Sequence, residues 1–413
     1  MFYVGGTAAI AQIIVMVQSF LLARWLGPDK YAIIVANFSL CSLCSFLVNW
    51  GLDTWLLRTS SQQQDQKQLA GIVLVIKMVF GLVWGILLIT IAPSLKPLIY
   101  LPSILGLAIA GIFIESATNT LYIVFFTTNR FNQSSIILII SRLCRLLVTV
   151  LLIILKNDNL LYFVVLRVLV DLIFLGVAWV KIKPDIRIRE VGQYRKVFTN
   201  ALPYSWSDLL SVVYNQSDIN IVSFLSDNLQ TISFYSLAIN LMNVIFAVIQ
   251  ALQNVVIPVL TRLHSQGSRI IKKGSILTII GFGLLGLALY LVVIVFGRDV
   301  VDLALDSTYT VSGTYLVKIA PILLFRSLTI GLTAIIISIN QQKLRLIPQT
   351  ITVLAKILIS IAIFPIWQVT GLTWVYIYSE LVLMLWYLWI VIWWFMHEIK
   401  NQNVTNHQGL IGQ

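Results

Sequence analysis

The sequence predicts an all-α membrane protein of about twelve transmembrane helices, six on each side of a polar break. Three observations predict it. The 413 residues are 59% hydrophobic and only 11% charged, with a mean hydropathy of +0.93. The apolar residues fall in blocks of roughly 20, the length that crosses a hydrocarbon core. One long polar and basic stretch, residues 181–200, divides these blocks into two sets. A water-soluble chain carries roughly twice this share of charge, because its surface must be solvated. Inside a bilayer nothing hydrogen-bonds an exposed backbone, so the blocks must be helices.

The blocks run in order Tyr3 to Ala23, Tyr31 to Leu57, Ala70 to Ala92, Pro102 to Thr128, Ile136 to Leu155 and Leu160 to Val180. After the break come Pro203 to Leu225, Ile232 to Ile257, Ser275 to Phe296, Gly313 to Ile339, Leu346 to Pro365 and Leu372 to Met396. With a cytoplasmic N-terminus, the inside loops hold Arg58, Lys67, Arg130, the six cations between Lys181 and Lys196, Arg262, Arg269, Lys272, Lys273, Lys343, Arg345 and Lys400. The outside loops hold Arg24, Lys30, Lys96, Lys156 and Arg298, a ratio of roughly three to one in favour of this orientation. The net charge of +12 therefore reads as anchors on an anionic leaflet, and no stretch has room for a basic nucleic-acid-binding domain. The expected domains are residues 1–180 as a first six-helix lobe, 181–200 as a basic cytoplasmic linker, 201–396 as a second six-helix lobe and 397–413 as a polar cytoplasmic tail.

The informative residues are the ionised ones inside the blocks. A charge at the bilayer centre costs at least about 2.5 kcal/mol, so it faces a cavity or a partner. Glu115, Arg142, Arg145, Arg167, Asp171, Arg326, Lys356 and Glu380 lie near block centres, and Lys77, Asp208, Asp218 and Lys318 nearer the ends. Asp208, Ser211, Asn215 and Asp218 recur at helical spacing on the seventh block, and Asn240, Asn243, Gln250 and Asn254 do so on the eighth. Such stripes either join helices by hydrogen bonds or line a shared wet interior. Arg167 stands one turn from Asp171, the spacing of an internal ion pair. Arg142 and Arg145 share one face and repel each other, which an anionic ligand would relieve; the competing reading is that they snorkel to headgroups.

Cys41 and Cys44 have CxxC spacing but lie in an apolar helix, where they read as packing residues. No metal cluster, catalytic pair, cofactor motif or GxxxxGK[ST] nucleotide loop is present in the sequence. The two halves show a weak internal match. Leu26-Gly27-Pro28-Asp29-Lys30-Tyr31 ends the first helix, and Leu225-Ser226-Asp227-Asn228, followed by Phe234-Tyr235-Ser236, ends the seventh.

The chain resembles a Wzx-type oligosaccharide flippase of the multidrug/oligosaccharidyl-lipid/polysaccharide exporter superfamily. The resemblance is carried by Leu22-Ala23-Arg24-Trp25-Leu26-Gly27-Pro28-Asp29-Lys30-Tyr31, by Asn49-Trp50-Gly51-Leu52-Asp53 with Arg58, and by Asp218 ahead of Phe234-Tyr235-Ser236. It departs from the family at Ala32, where Gly is commoner, and in the basic segment usual before the first helix. The resemblance implies two six-helix lobes around a central cavity, working by alternating access in the cell inner membrane. The implied cargo is an oligosaccharide on a polyprenyl diphosphate, carried outward for polysaccharide biosynthesis. A diphosphate needs Arg or Lys, and sugars need amides. The expected substrate residues are Arg142, Arg145, Arg326, Lys77, Lys356, Asn240, Asn243 and Gln250. Asp218, Asp208 and Glu115 are the expected coupling carboxylates, for H⁺ or Na⁺. The expected partners are the lipid-linked substrate, the bilayer and polysaccharide assembly machinery. The alternatives are a drug or cation antiporter of the same superfamily, which usually carries acidic cavity residues, and a membrane polymerase or glycosyltransferase, which carries a long outside catalytic loop.

Overall fold

The computed structural model describes residues 2–60, 65–128, 130–186, 191–305 and 307–411. Arg187 and Arg189 of the basic linker and Asp306 of an outer loop lie outside the described residues. The elements are α1 (Phe2–Cys44), α2 (Phe46–Asn49), α3 (Leu52–Ser60), α4 (Gln66–Leu95), α5 (Pro102–Thr127), α6 (Phe131–Ile154), α7 (Leu160–Ile182), α8 (Val191–Leu225), α9 (Leu229–Gln266), α10 (Ser268–Ala304), a 3₁₀ turn (Ser307–Tyr309), α11 (Thr310–Ile319), α12 (Pro321–Ser338) and α13 (Gln342–Ile411). Among the described residues there is no strand.

Two of these helices are each a pair of spans joined at a break. Gly27 in α1 leaves the helical region at φ 74°, ψ 170°, and Pro28 follows it. Glycine reaches positive φ without a Cβ penalty, and proline has no N–H to continue the ladder. In α13 the break is at Gln368, φ 47° and ψ −138°, three residues after Pro365. Nine helices of the described residues are long and apolar enough to cross a membrane. Two of them, Ala9–Asn49 and Gln342–Met396, have 41 and 55 residues. At 1.5 Å per residue each is about twice the thickness of the hydrocarbon core or more. The broken helices therefore supply four spans. Helix α8 has 35 residues, and its Asp208, Asn215, Gln216, Asp218 and Asn220 make it less apolar than those nine. It completes twelve. The tenth expected block is split, because Pro321 starts α12 directly after α11.

The chain forms two compact units, Ile10–Asn240 and Leu241–Gln413 with Met1–Ala9. In the first, Leu52, Leu56, Val73, Leu121, Phe125, Ala178 and Ala201 form the core. In the second, Leu260, Ile271, Ile335, Ile336, Tyr387 and Ile390 do so. Large apolar side chains stay exposed along α4, α6 and α10, among them Ile86, Leu147 and Leu284. That pattern would be costly in water and suits lipid contact.

Helix α8 packs on α3, α2 and α4 within the first unit. Trp50 (φ 42°) and Gly51 (φ 73°) break the second span between α2 and α3. A Cβ at Gly51 would stand 2.6 Å from the Ser205 nitrogen and 2.8 Å from the Ala201 oxygen, both backbone atoms of α8. Only glycine allows this approach. Trp50 then packs against Phe80 and Phe198, each with ring centroids 6.0 Å away.

Candidate functional site

Three spans of the first unit bring their ionised residues together. Glu115 comes from α5, Arg142 and Arg145 from α6, and Arg167 and Asp171 from α7. The Glu115 carboxylate accepts from Arg142 at 2.6 Å through Oε1 and lies 3.8 Å from Arg145 through Oε2. Arg145 donates through Nε to Asp171, and this pair is buried on both sides. Glu115 and Arg142 are less enclosed, with side chains 26% and 20% exposed. Arg145 is held further from its backbone: Gln18 of α1 donates to its carbonyl at 3.3 Å and to Thr149 at 3.1 Å. Arg142, Arg145, Glu115, Asp171, Asn119, Ser141 and Tyr122 line a cavity of about 20 Å³, room for one water.

The ion pair expected between Arg167 and Asp171 is not the one that forms. Asp171 pairs with Arg145 across the α6–α7 contact, while the Arg167 guanidinium lies 3.9 Å from the Phe38 ring centroid. Its buried Nε has no hydrogen-bond partner among the described residues. Spacing along one helix permits a pair, but a carboxylate reached from the neighbouring helix takes the better-enclosed cation. The cluster holds three guanidiniums against two carboxylates.

Lys77 stands in a second cluster of the same unit. It is fully buried, and its three N–H groups are shared among four acceptors, both Asp53 oxygens at 2.8 Å, the Ser116 hydroxyl at 3.0 Å and the Ser116 carbonyl at 3.2 Å. Thr120 also donates to Asp53, at 2.9 Å. Asp208 of α8 accepts from Thr54 at 3.2 Å. One hydroxyl has one proton, so it satisfies one Asp208 oxygen at a time. This cluster has two carboxylates for one ammonium.

Arg326 and Lys356 belong to the second unit. Arg326 donates to the Tyr376 hydroxyl at 2.6 Å and to Glu380 at 3.3 Å, with its guanidinium 4.2 Å from the Phe246 ring centroid. Lys356 is buried, its Nζ 4.0 Å from the Tyr376 ring centroid. The second Glu380 oxygen is buried with no hydrogen-bond partner among the described residues. Lys318 is exposed on α11.

The expected amides are dispersed. Asn240 donates to the Tyr31 hydroxyl at 3.3 Å in the first unit. Asn243 is half-buried and Gln250 exposed in the second. Asp218 is buried on α8, two residues before Asn220, whose amide donates to the Ser39 hydroxyl at 2.9 Å. The stripe that carries Asp218 begins at a half-buried Asp208 and runs through exposed Ser211 and Asn215. Sequence reasoning did not find Asp53 as the partner of Lys77, nor the rings of Phe38, Phe246 and Tyr376 beneath the cations. The available signal for Asp53 was its place as a lone carboxylate just inside the second block.

A multi-pass helical membrane protein with ionised clusters buried among its spans is built like a transporter. The chain belongs to the polysaccharide biosynthesis protein family, whose profile it matches over residues 21–313. No curated protein sequence matches it. The fold is that of the MOP-superfamily transporters. An inward-facing multidrug-resistance MATE family transporter aligns with a TM-score of 0.72 at 14% identity, covering 95% of this chain and 96% of that one. The lipid II flippase MurJ in an inward closed conformation aligns at 0.75 and 14% identity, covering 94% and 87%. A MOP-superfamily transporter from Pyrococcus furiosus, described by a binding pocket of reverse polarity, aligns at 0.66 and 14%, covering 96% and 95%.

Proposed function

We propose that this protein flips a polyprenyl-diphosphate-linked oligosaccharide from the cytoplasmic to the outer face of the inner membrane, supplying polysaccharide assembly. The observation that carries the reading is the buried cluster of Arg142, Arg145 and Arg167, which holds one more cation than Glu115 and Asp171 neutralise. An anionic diphosphate suits that excess, and guanidinium forks bind phosphate oxygens in pairs. The family match to polysaccharide biosynthesis supports the same cargo. Arg326 and Lys356 are the cations that the second unit contributes to this reading, and Asn240, Asn243 and Gln250 are the amides proposed to serve sugar hydroxyls. Transport is by alternating access, in which two helical lobes rock while the lipid tail stays in the bilayer. Asp208, beside Asp53 and Lys77, sits in the cluster with excess negative charge, which suits an H⁺ or Na⁺ that drives the cycle. Asp218 is the second coupling carboxylate.

The test uses the full chain in vesicles with a fluorescent polyprenyl-diphosphate oligosaccharide, scored by its protection from an impermeant quencher. Wild type is expected to flip the probe. Arg142→Ala is expected to slow it by at least about tenfold, the factor that one lost charge-assisted bond implies. Asp208→Asn is expected to flip the probe with no response to an imposed ion gradient. Wild-type rates in Arg142→Ala would refute the site, and an unchanged gradient response in Asp208→Asn would refute the coupling role. Wild-type transport of a cationic drug in place of the lipid would establish the antiporter reading.

A further inference from the structure

The cluster around Arg142 divides into a fixed part and an exchangeable part. Arg145 and Asp171 are the fixed part: both side chains are buried, each is the other's nearest charge, and Gln18 ties the Arg145 carbonyl to α1. Arg142 has a different environment. Among the described residues its hydrogen-bonded partner is Glu115 alone, and both side chains reach the open side of the cavity. The remaining space there, about 20 Å³, admits one water and no phosphate group. Inside this cavity the edge of Arg142 that would face a phosphate is the one whose Nη2 now donates to the Glu115 carboxylate. The mutual repulsion of Arg142 and Arg145 is already relieved, by a carboxylate that puts one oxygen towards each.

We infer that Glu115 is a built-in stand-in for the anionic ligand, holding Arg142 while the cavity is empty and displaced when a diphosphate enters. This rests on the reading of the cavity as an anion site. A carboxylate and a phosphate offer a guanidinium the same pair of acceptor oxygens, so one can replace the other without reshaping the arginine. Displacement leaves Arg145 with Asp171, so the buried pair that joins α6 to α7 survives the exchange. Arg167, held over Phe38 with its Nε lacking an acceptor, is the third cation near the incoming charge. Glu115 therefore sets the affinity. It weakens binding of any anion that cannot outcompete a tethered carboxylate, and it keeps Arg142 paired during the return of the empty transporter.

The experiment is calorimetric titration of the purified full chain in nanodiscs, with inorganic pyrophosphate in one arm and a short polyprenyl diphosphate in the other. Glu115→Gln is expected to bind pyrophosphate at least about tenfold tighter than wild type, and Arg142→Gln to lose binding. Glu115→Asp keeps the charge but withdraws the carboxylate by about one bond length, so it also tightens binding if displacement is the mechanism. A merely electrostatic role predicts no change in Glu115→Asp. Unchanged or weaker binding in a folded Glu115→Asp, or in a folded Glu115→Gln, overturns the inference. Binding that survives Arg142→Gln, or no binding by wild type and Glu115→Gln alike, overturns the anion site itself. Tightening in both arms assigns recognition to the diphosphate, and tightening with the lipid alone overturns the inference, because the displaced group would then not be answering to the diphosphate.

Discussion

Arg142 and Arg145 lie one turn apart on α6, yet the structure gives them different tasks. Removing one partner of an enclosed ion pair leaves the other charge buried and uncompensated, which costs about 3–5 kcal/mol. Arg145→Ala strands Asp171 in that way, so it is expected to lower the folded yield and the melting temperature in detergent. Arg142→Ala leaves Glu115, which is already partly exposed, and is expected to melt within a few degrees of wild type while losing transport. Thermal unfolding of both variants by fluorescence-detected size exclusion checks this. Equal melting temperatures would show that the Arg145–Asp171 pair contributes little to stability. The aromatic faces under Arg167, Arg326 and Lys356 point to a shared device: a cation kept among apolar spans is held over a ring, and for Arg326 this comes in addition to its pairing with Glu380.

The elements are shaped by where their helices break. Gly27 and Gly51 both have positive φ, but their surroundings differ. Nothing stands within 4 Å of a Cβ built on Gly27, whereas one on Gly51 meets the α8 backbone at 2.6 Å. Backbone strain at a left-handed position costs of order 1–3 kcal/mol, and only that cost applies to Gly27→Ala. Gly51→Ala adds a backbone overlap that no rotamer change relieves. It is expected to destabilise the protein by clearly more, and to push α8 away from α3. Melting temperatures of the two variants, with a Thr54–Tyr204 cysteine crosslink as a distance probe, test this. A Gly51→Ala protein as stable as Gly27→Ala would mean that α8 does not rest on the break. Tyr204 also carries the Arg58 guanidinium 5.0 Å from its ring centroid, a second contact across the same junction.

At the scale of the molecule, orientation follows from counting spans. Gln193 and Gln266 are separated by α8 and α9, and so lie on the same side of the membrane. Ser307 lies one further span away, beyond α10. The excess of basic residues in their loops predicts the cytoplasmic side for the first two. Reporter fusions after Gln193 and Gln266 are expected to read cytoplasmic, and a fusion after Ser307 external. An external signal at Gln193 would reverse the chain in the bilayer, and the proposed direction of transport with it.

Hydrophobic blocks of about 20 residues determine twelve helical spans by themselves, because the bilayer offers an exposed backbone no other way to satisfy its hydrogen bonds. Even the first two spans, which run on through α1 as one assigned helix, were separable from the Gly27-Pro28 pair. The sequence alone also identified the ionised residues that need partners, since charge inside an apolar block is conspicuous. It could not assign those partners. Helical spacing pointed Arg167 to Asp171, but the packing of α6 against α7 brings Arg145 closer, and Arg167 goes to Phe38. Lys77 and Asp53 are 24 residues apart and on different helices, so no periodicity connects them. Which face of each helix meets which neighbour is decided by side-chain packing across spans, a property of the folded chain that no single block contains.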